Sequence, residues 1–252
     1  MDGKKILCLI PTLRDDPSKT IDSVFKQTLK VSSIIVIVGS KRLYNQIASL
    51  SSNIIEIIYF KPNTDDYLGK RVARALNVAL SHINLEDYDY ILRIDADTML
   101  PPKFIENNIK ANADQIGTSG YAMLLKASSF IDVFKGKFTE VGAEDSYIGL
   151  HFLRSGCSVK QWICKPNLMR KSGQHHSYRH YYDRGIEMYK LGYEPIHVFE
   201  TFFHDIRSIF SSLGYILAIF KKIERYEISD WVFKTQIRRL IHKKQFNSSN
   251  YS

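Results

Sequence analysis

Cysteine, proline and glycine are all scarce in this chain of 252 residues. Three cysteines, Cys8, Cys157 and Cys164, are too few for a disulfide framework and form no CxxC pair. They predict reduced, structural thiols in a cytoplasmic protein. Seven prolines and 13 glycines leave no collagenous or low-complexity segment. No apolar run reaches the roughly 18 residues that a membrane-spanning helix needs. The apolar stretch Ile6–Ile10 stops at Pro11 with no small-residue cleavage site, so a first strand is expected there and not a signal peptide.

What is present is ordinary globular material. Hydrophobic residues make 44% and charged residues 24%, which excludes a disordered or fibrous chain and suffices for one large α/β domain with a helical annex. Lys and Arg number 35 against 26 Asp and Glu, a net charge of +9. That balance suits a phosphate-bearing substrate, an anionic membrane surface or a nucleic acid, and does not choose among them.

Strand and helix signals alternate through the first half. Residues 4–12, 32–40, 53–60 and 89–97 are short apolar runs of the buried parallel-strand kind. Between and after them, 18–29, 69–82 and 101–112 carry apolar residues at helical spacing, the last opened by proline. This rhythm predicts a mostly parallel sheet with helices on both faces. The second half is less regular. A strand with its following turn is expected over 118–130, a helix over 144–156 ending at Gly156, a strand over 158–164, and a helix from about Tyr178. The last fifty residues change character: 206–222 is apolar with a basic end, and from His204 onward nine Lys/Arg face four Asp/Glu. The expected divisions are 1–112, 113–205 and a basic amphipathic helical tail over 206–252.

Asp95-Ala96-Asp97 is the strongest chemical signal, because it falls at the carboxyl end of a strand, where ligands of open parallel sheets bind. Carboxylates two residues apart can share Mg²⁺ or Mn²⁺ with a diphosphate, and the cation offsets charge on a leaving phosphate. Glu144-Asp145 opens a helix. It supplies either a general base kept ionised by the helix N-terminus or simple charge complementarity. Gly69-Lys70-Arg71, with Arg74, could meet a diphosphate or form a solvated helix start. His175 and His176 could complete a metal site or lie in a polar loop.

Taken in order, these features resemble the inverting family 2 glycosyltransferases of the GT-A fold. IPTLRD (10–15) matches the first-strand end where the nucleoside enters, and GKRVARALNVAL (69–80) the Gly-Lys helix. RIDADTMLPP (93–102) is similar to the metal-binding strand end, GYAMLLKASSF (120–130) to the acceptor-side strand, and VGAEDSYIGLHFLRSGCSV (141–159) to the Glu-Asp helix with its glycine and next strand. The resemblance covers about 1–176. It implies a Rossmann-like GT-A domain that moves a sugar from a UDP- or GDP-sugar donor to a hydroxyl of a glycan or lipid-linked acceptor. By resemblance, Pro11, Thr12, Arg14, Gly39, Lys70, Arg71, Asp95, Ala96 and Asp97 bind the nucleotide sugar. Asp97 and Asp95, with His175 or His176, hold the metal, Asp145 is the general base, and Glu144 supports the acceptor site. One departure is visible: the family's acidic pair after the second strand is missing from IVIVGSKRL (35–43).

The tail over 206–244 has the composition of a helix that lies on an anionic bilayer, which implies peripheral attachment at the inner face of a membrane. The alternative is helical packing on the catalytic domain or on a second copy in a homo-oligomer. Two other functions fit less well. A nucleotidyltransferase would need an early glycine-rich phosphate loop, and LIPTLRDDPSK (9–19) has none. A nucleic-acid-binding protein would explain the charge, but no recognised binding motif appears, so no nucleic-acid partner is expected.

Overall fold

The computed structural model describes residues 3–169, 177–200 and 206–248. The chain folds as two units, residues 1–172 and residues 173–252.

The first unit alternates strand and helix as the apolar spacing predicts. Its elements are β1 (Ile6–Thr12), α1 (Ser18–Phe25), β2 (Ser33–Val38), α2 (Lys41–Ile47), β3 (Ile55–Tyr59), α3 (Leu68–Leu80), β4 (Tyr90–Ile94), β5 (Thr98–Met99), α4 (Phe104–Ile109), β6 (Gln115–Ile116), β7 (Ala122–Lys126), α5 (Ala127–Phe134), α6 (Glu144–Arg154), β8 (Val159–Lys160) and β9 (Asn167–Leu168). Seven strands form one sheet in the order β3-β2-β1-β4-β7-β6-β8, and β5 pairs with β9 in a small second sheet.

Strands β3, β2, β1 and β4 run parallel. Parallel strands are covered on both faces, so they must be apolar at nearly every position. β1 is buried along its whole length, and so are Ile34 to Val38 of β2. At the edge, β3 relaxes into partial exposure, with Glu56 and Tyr59 open to solvent. β7 breaks the parallel pattern. It pairs antiparallel with β4, Ile94 opposite Ala122 and Tyr90 opposite Lys126, and antiparallel with β6 on its other side.

The strand expected over 118–130 is therefore β7 followed at once by α5. That helix buries Phe130 and Phe134, and its last turn ends in the left-handed residues Lys135 and Gly136. Phe130 stacks with Phe138 at 4.8 Å between centroids, and both are fully buried with Phe104 and Phe152. Truncating any of these rings to alanine would cost about 3–5 kcal/mol.

The second unit is helical: α7 (Tyr178–Leu191), α8 (Pro195–Glu200), α9 (Ile209–Phe220) after a single 3₁₀ turn (Ile206–Ser208), and α10 (Ser229–Ser248). Ser177 caps α7 by accepting from the His180 amide, and Gly192 closes it at φ +82°. α7 and α9 cross at a distance only glycine permits. A Cβ on Gly185 would meet the Ser211 backbone, and a Cβ on Gly214 would meet the Tyr182 backbone. The Ser211 hydroxyl donates to the Tyr181 carbonyl at 2.9 Å across the same crossing.

Candidate active site

β1, β2 and β4 point their carboxyl ends to one rim of the sheet. The Gly39 amide, just past β2, donates to the Thr12 carbonyl at 2.7 Å, fastening the ends of β1 and β2. Thr12 in turn donates its hydroxyl to the Asp15 carbonyl. Pro11 and Thr12 are buried, while Arg14 is exposed beside them.

The Asp95–Asp97 turn is held by backbone hydrogen bonds from several directions. The Asp95 amide donates to the Tyr121 carbonyl at 3.1 Å, and the Thr98 amide to the Asp95 carbonyl at 3.1 Å. Thr20 of α1 donates its hydroxyl to the Ala96 carbonyl at 2.7 Å. The Met169 amide donates to the Asp97 carbonyl at 2.9 Å. A turn so fastened carries its two carboxylates at fixed positions, with Ala96 buried between them.

Arg93 is the residue that joins this turn to α6. It interrupts an otherwise apolar strand and is 3% exposed. A charge so deep needs partners, because stripping water from a guanidinium costs several kcal/mol. Its Nη2 donates to Glu144 Oε1 at 3.0 Å and lies 3.2 Å from Asp95 Oδ1. Its Nε and Nη1 are buried with no hydrogen-bond partner. Gly120 lies flat against this head: a Cβ there would strike Nη1.

Gly120 also reaches Asp145. Its amide donates to Asp145 Oδ2 at 3.2 Å, while Oδ1 accepts from the Ser146 amide in the first turn of α6 at 2.7 Å. Oδ1 also accepts from the Ser146 hydroxyl at 3.4 Å, and since each carboxylate oxygen has two lone pairs, it is Oδ2 that retains acceptor capacity. Gly69, at the start of α3, is needed for a similar reason. A Cβ on it would drive into the Gly142 carbonyl and the Glu144 carboxylate. Gly69 is thus the seat of the turn that presents Glu144.

The electrostatics arise from this crowding. Burial pushes the Glu144 carboxyl up to about 8 against the pull of Arg93, with Asp145 and Asp95 adding to the rise. Burial likewise pushes Asp95 up to about 6, again opposed by Arg93 and reinforced by the charges of Asp97, Asp145 and Asp15. Three acids, Asp95, Glu144 and Asp145, thus bear on one buried guanidinium, and Asp97 and Asp15 bear on Asp95 in turn. Such a surplus of hard oxygen donors suits a divalent cation. Among the described residues no three His, Cys, Asp or Glu side chains are gathered closely enough to complete a metal site alone. Asp95 and Asp97 therefore fit a cation that takes its other ligands from water, a diphosphate or elsewhere in the chain. His175 and His176 lie outside the described residues.

The basic residues of α3 are differently placed. Lys70 Nζ is 3.2 Å from Asp66 Oδ1, and Arg74 is paired with both Asp66 and Glu140. Arg71 is half-buried, with its Nε lacking a partner. The sequence patterns do not single out Arg93, Gly120 or Asp15 as individual residues. One signal was legible: Arg93 is a charged residue inside the apolar run Tyr90-Ile91-Leu92-Arg93-Ile94.

The sequence matches no family model and no curated protein. Solved structures share the architecture. A mannosyltransferase from Pyrobaculum calidifontis, PcManGT, in complex with GDP-Man and Mn²⁺ superposes with a TM-score of 0.56 at 13% identity, over 93% of this chain and 80% of that one. The fold is GT-A. TarS of S. aureus aligns at 13% identity with a TM-score of 0.51, over 73% of this chain but only 39% of its own. A 1–349 form of TarS in complex with UDP-GlcNAc gives 0.53 at 13% identity, over 73% and 65%. The chain therefore spans less than half the length of TarS. In this GT-A domain the mixed sheet, the strand-end acids and the Glu144-Asp145 helix start all lie within residues 1–172.

Proposed function

We propose that the chain is a metal-dependent inverting glycosyltransferase that moves a sugar from a UDP- or GDP-sugar to an acceptor hydroxyl on a glycan or a lipid-linked carrier. One observation carries the reading: Arg93 and Gly120 bind the Asp95–Asp97 turn and the Glu144-Asp145 helix start into a single cluster at the ligand-binding rim of a GT-A sheet. The structures that share the fold include complexes with GDP-Man and Mn²⁺ and with UDP-GlcNAc.

In this reading Asp97 and Asp95 hold Mg²⁺ or Mn²⁺, with His175 or His176 as a further ligand. The cation, when bound, neutralises the diphosphate leaving group. Pro11, Thr12, Arg14 and Gly39 border the nucleoside, and Arg71 faces the diphosphate with Lys70. Asp145 is the general base. It accepts the proton of the acceptor hydroxyl as that oxygen bonds to the anomeric carbon and the bond from carbon to the diphosphate breaks, so configuration inverts. Glu144, kept protonated or paired with Arg93, shapes the acceptor side. The reading puts the enzyme at a membrane surface, contacted through 206–244.

Two measurements test it. A thermal-shift panel of nucleoside diphosphate sugars with and without Mn²⁺ should show stabilisation by one nucleotide that depends on the metal. Asp97→Asn and Asp145→Asn should each abolish transfer while circular dichroism stays unchanged. Full activity in either variant rejects the assignment.

A further inference from the structure

Helix α9 is inside out. Toward its own unit it turns Ser211, Ser212, Gly214, Tyr215 and Ala218. Toward solvent it turns Ile209, Leu213, Ile216 and Phe220, and Ile206 in the preceding turn extends the row. Those positions recur at three- and four-residue intervals, so they form one stripe about 18 Å long over the helix. Leu213 is 50% exposed, Ile206 76% and Phe220 82%. A water-facing helix of a self-sufficient domain carries polar residues at such positions.

The orientation is locked. Gly185 and Gly214 let the α7 and α9 backbones touch, and neither contact has room for a Cβ. Rolling the stripe inward would put Leu213 or Ile216 where only glycine and serine fit. The exposure is a built property of the packing.

Charge identifies what covers the stripe. Residues 206–222 contain Arg207, Lys221 and Lys222 and no Asp or Glu. Lys221 and Lys222 stand exposed at one end of the row, beside Phe220, while Arg207 at the other end is half-buried over the Tyr181 ring. An apolar row that ends in exposed cations matches the layered chemistry of an anionic bilayer, with acyl chains beneath a plane of phosphates. α10 offers much less. Over 229–238, Phe233 is its one large apolar side chain exposed to that degree among the described residues, while Val232 is buried. Among the described residues no helix is long and apolar enough to cross a membrane.

We infer that α9 lies flat in the interface of an anionic membrane, with Ile206, Ile209, Leu213, Ile216 and Phe220 among the acyl chains and Lys221 and Lys222 at the headgroups. This narrows the membrane part of the functional reading to one helix face and is independent of the chemistry assigned to Asp97 and Asp145.

Vesicle flotation of the full chain tests it. Phosphatidylcholine vesicles containing phosphatidylglycerol should carry the protein upward, and phosphatidylcholine alone should carry at least about tenfold less, because each basic residue near the surface adds about fivefold for the anionic lipid. Leu213→Glu with Ile216→Glu should reduce flotation about tenfold or more. Both positions are half-exposed, so the thermal midpoint should stay put, which separates lost docking from lost folding. Lys221→Glu with Lys222→Glu supplies a second variant that leaves the stripe intact and should lose only the preference for phosphatidylglycerol. Wild-type protein that stays at the bottom of the gradient overturns the inference, as does a Leu213→Glu/Ile216→Glu variant that floats undiminished. A dimer in sedimentation velocity that those two changes dissociate, without flotation, would overturn it too and assign the face to a second copy. Nucleotide-dependent thermal stabilisation in the absence of vesicles reads the enzymatic assignment separately.

Discussion

Arg93 Nη2 sits 3.0 Å from Glu144 Oε1 and 3.2 Å from Asp95 Oδ1, so one guanidinium, buried in the middle of β4, spans two acids that belong to different parts of the chain. Removing it leaves a buried carboxyl at 144 without its counter-charge. Arg93→Met should destabilise the fold by about 3 kcal/mol, the typical cost of breaking one side of a buried ion pair. Urea unfolding measures this. Arg93→Met with Glu144→Gln should recover part of the loss, because the fully buried position then carries no carboxyl to ionise, while Asp95 still lacks its partner.

Gly120→Ala places a methyl group against Arg93 Nη1 and disturbs the amide that donates to Asp145. The expected result is a protein that folds with about 1–3 kcal/mol less stability, the range for a forced extra methyl group, and whose transfer activity falls more than its stability does. A comparison of urea midpoints with initial rates distinguishes the two effects.

The helix crossing in the second unit gives a prediction of opposite sign to helix propensity. Alanine in an exposed helix is about 1 kcal/mol better than glycine. Gly185→Ala should nevertheless destabilise, because its Cβ meets the Ser211 backbone. Gly214→Ala should behave alike from the other side. A rise in thermal midpoint for either variant would contradict the packing described for α7 and α9.

Asp114 ties three segments together. It accepts from the Ser129 hydroxyl at 2.6 Å and from the amide and hydroxyl of Ser158, each at 2.8 Å. These bonds, led by Ser129, hold its carboxyl down at about 2 against the ordinary 3.8. The folded state therefore prefers the ionised form. Its contribution is complete above pH 3.8 and disappears as the pH falls through about 2. The group is partly exposed, so solvent screening leaves about 1 kcal/mol. Asp114→Asn should be less stable than wild type near neutral pH and converge on it in acid, which unfolding curves at a series of pH values will record.

On the proposed reading Asp95, raised to about 6, ligates the cation, and it must lose its proton to do so. Stabilisation by Mn²⁺ should therefore grow as the pH rises through about 6, with affinity falling about tenfold for each pH unit below it. Titration calorimetry at acid and neutral pH checks this, and chelation of the metal should reverse the thermal shift.

Much of the scaffold is legible in the sequence. The apolar runs around Ile6–Ile10 and Ile34–Val38 stand out because strands covered on both faces are apolar at nearly every position. The helix expected from about Tyr178 is α7, and the structure shows its ends capped by Ser177 and Gly192. The direction of β7 is not legible. An apolar strand looks the same whether it runs with or against its neighbour, and only the connection through α4 and β6 settles it. Which face of α9 turns inward is not legible either: apolar residues lie all along it, and only the structure shows that Ser211, Ser212, Gly214, Tyr215 and Ala218 are the ones the interior accepts. In the candidate site the acids are visible by position, but the network that joins them is not. Arg93 is separated from Glu144 by fifty-one residues, and nothing local in the sequence records such a pairing.

The reversal at β7 has a structural consequence for variation. A strand that runs against its neighbours brings its first residue, not its last, to the rim where those neighbours finish. The hairpin-like approach from Gly117 to Tyr121 therefore arrives opposite the Asp95 turn from an independent stretch of chain. New loops grafted there would reshape the chain on one side of the Asp95 turn while the ends of β1 and β2 kept their form.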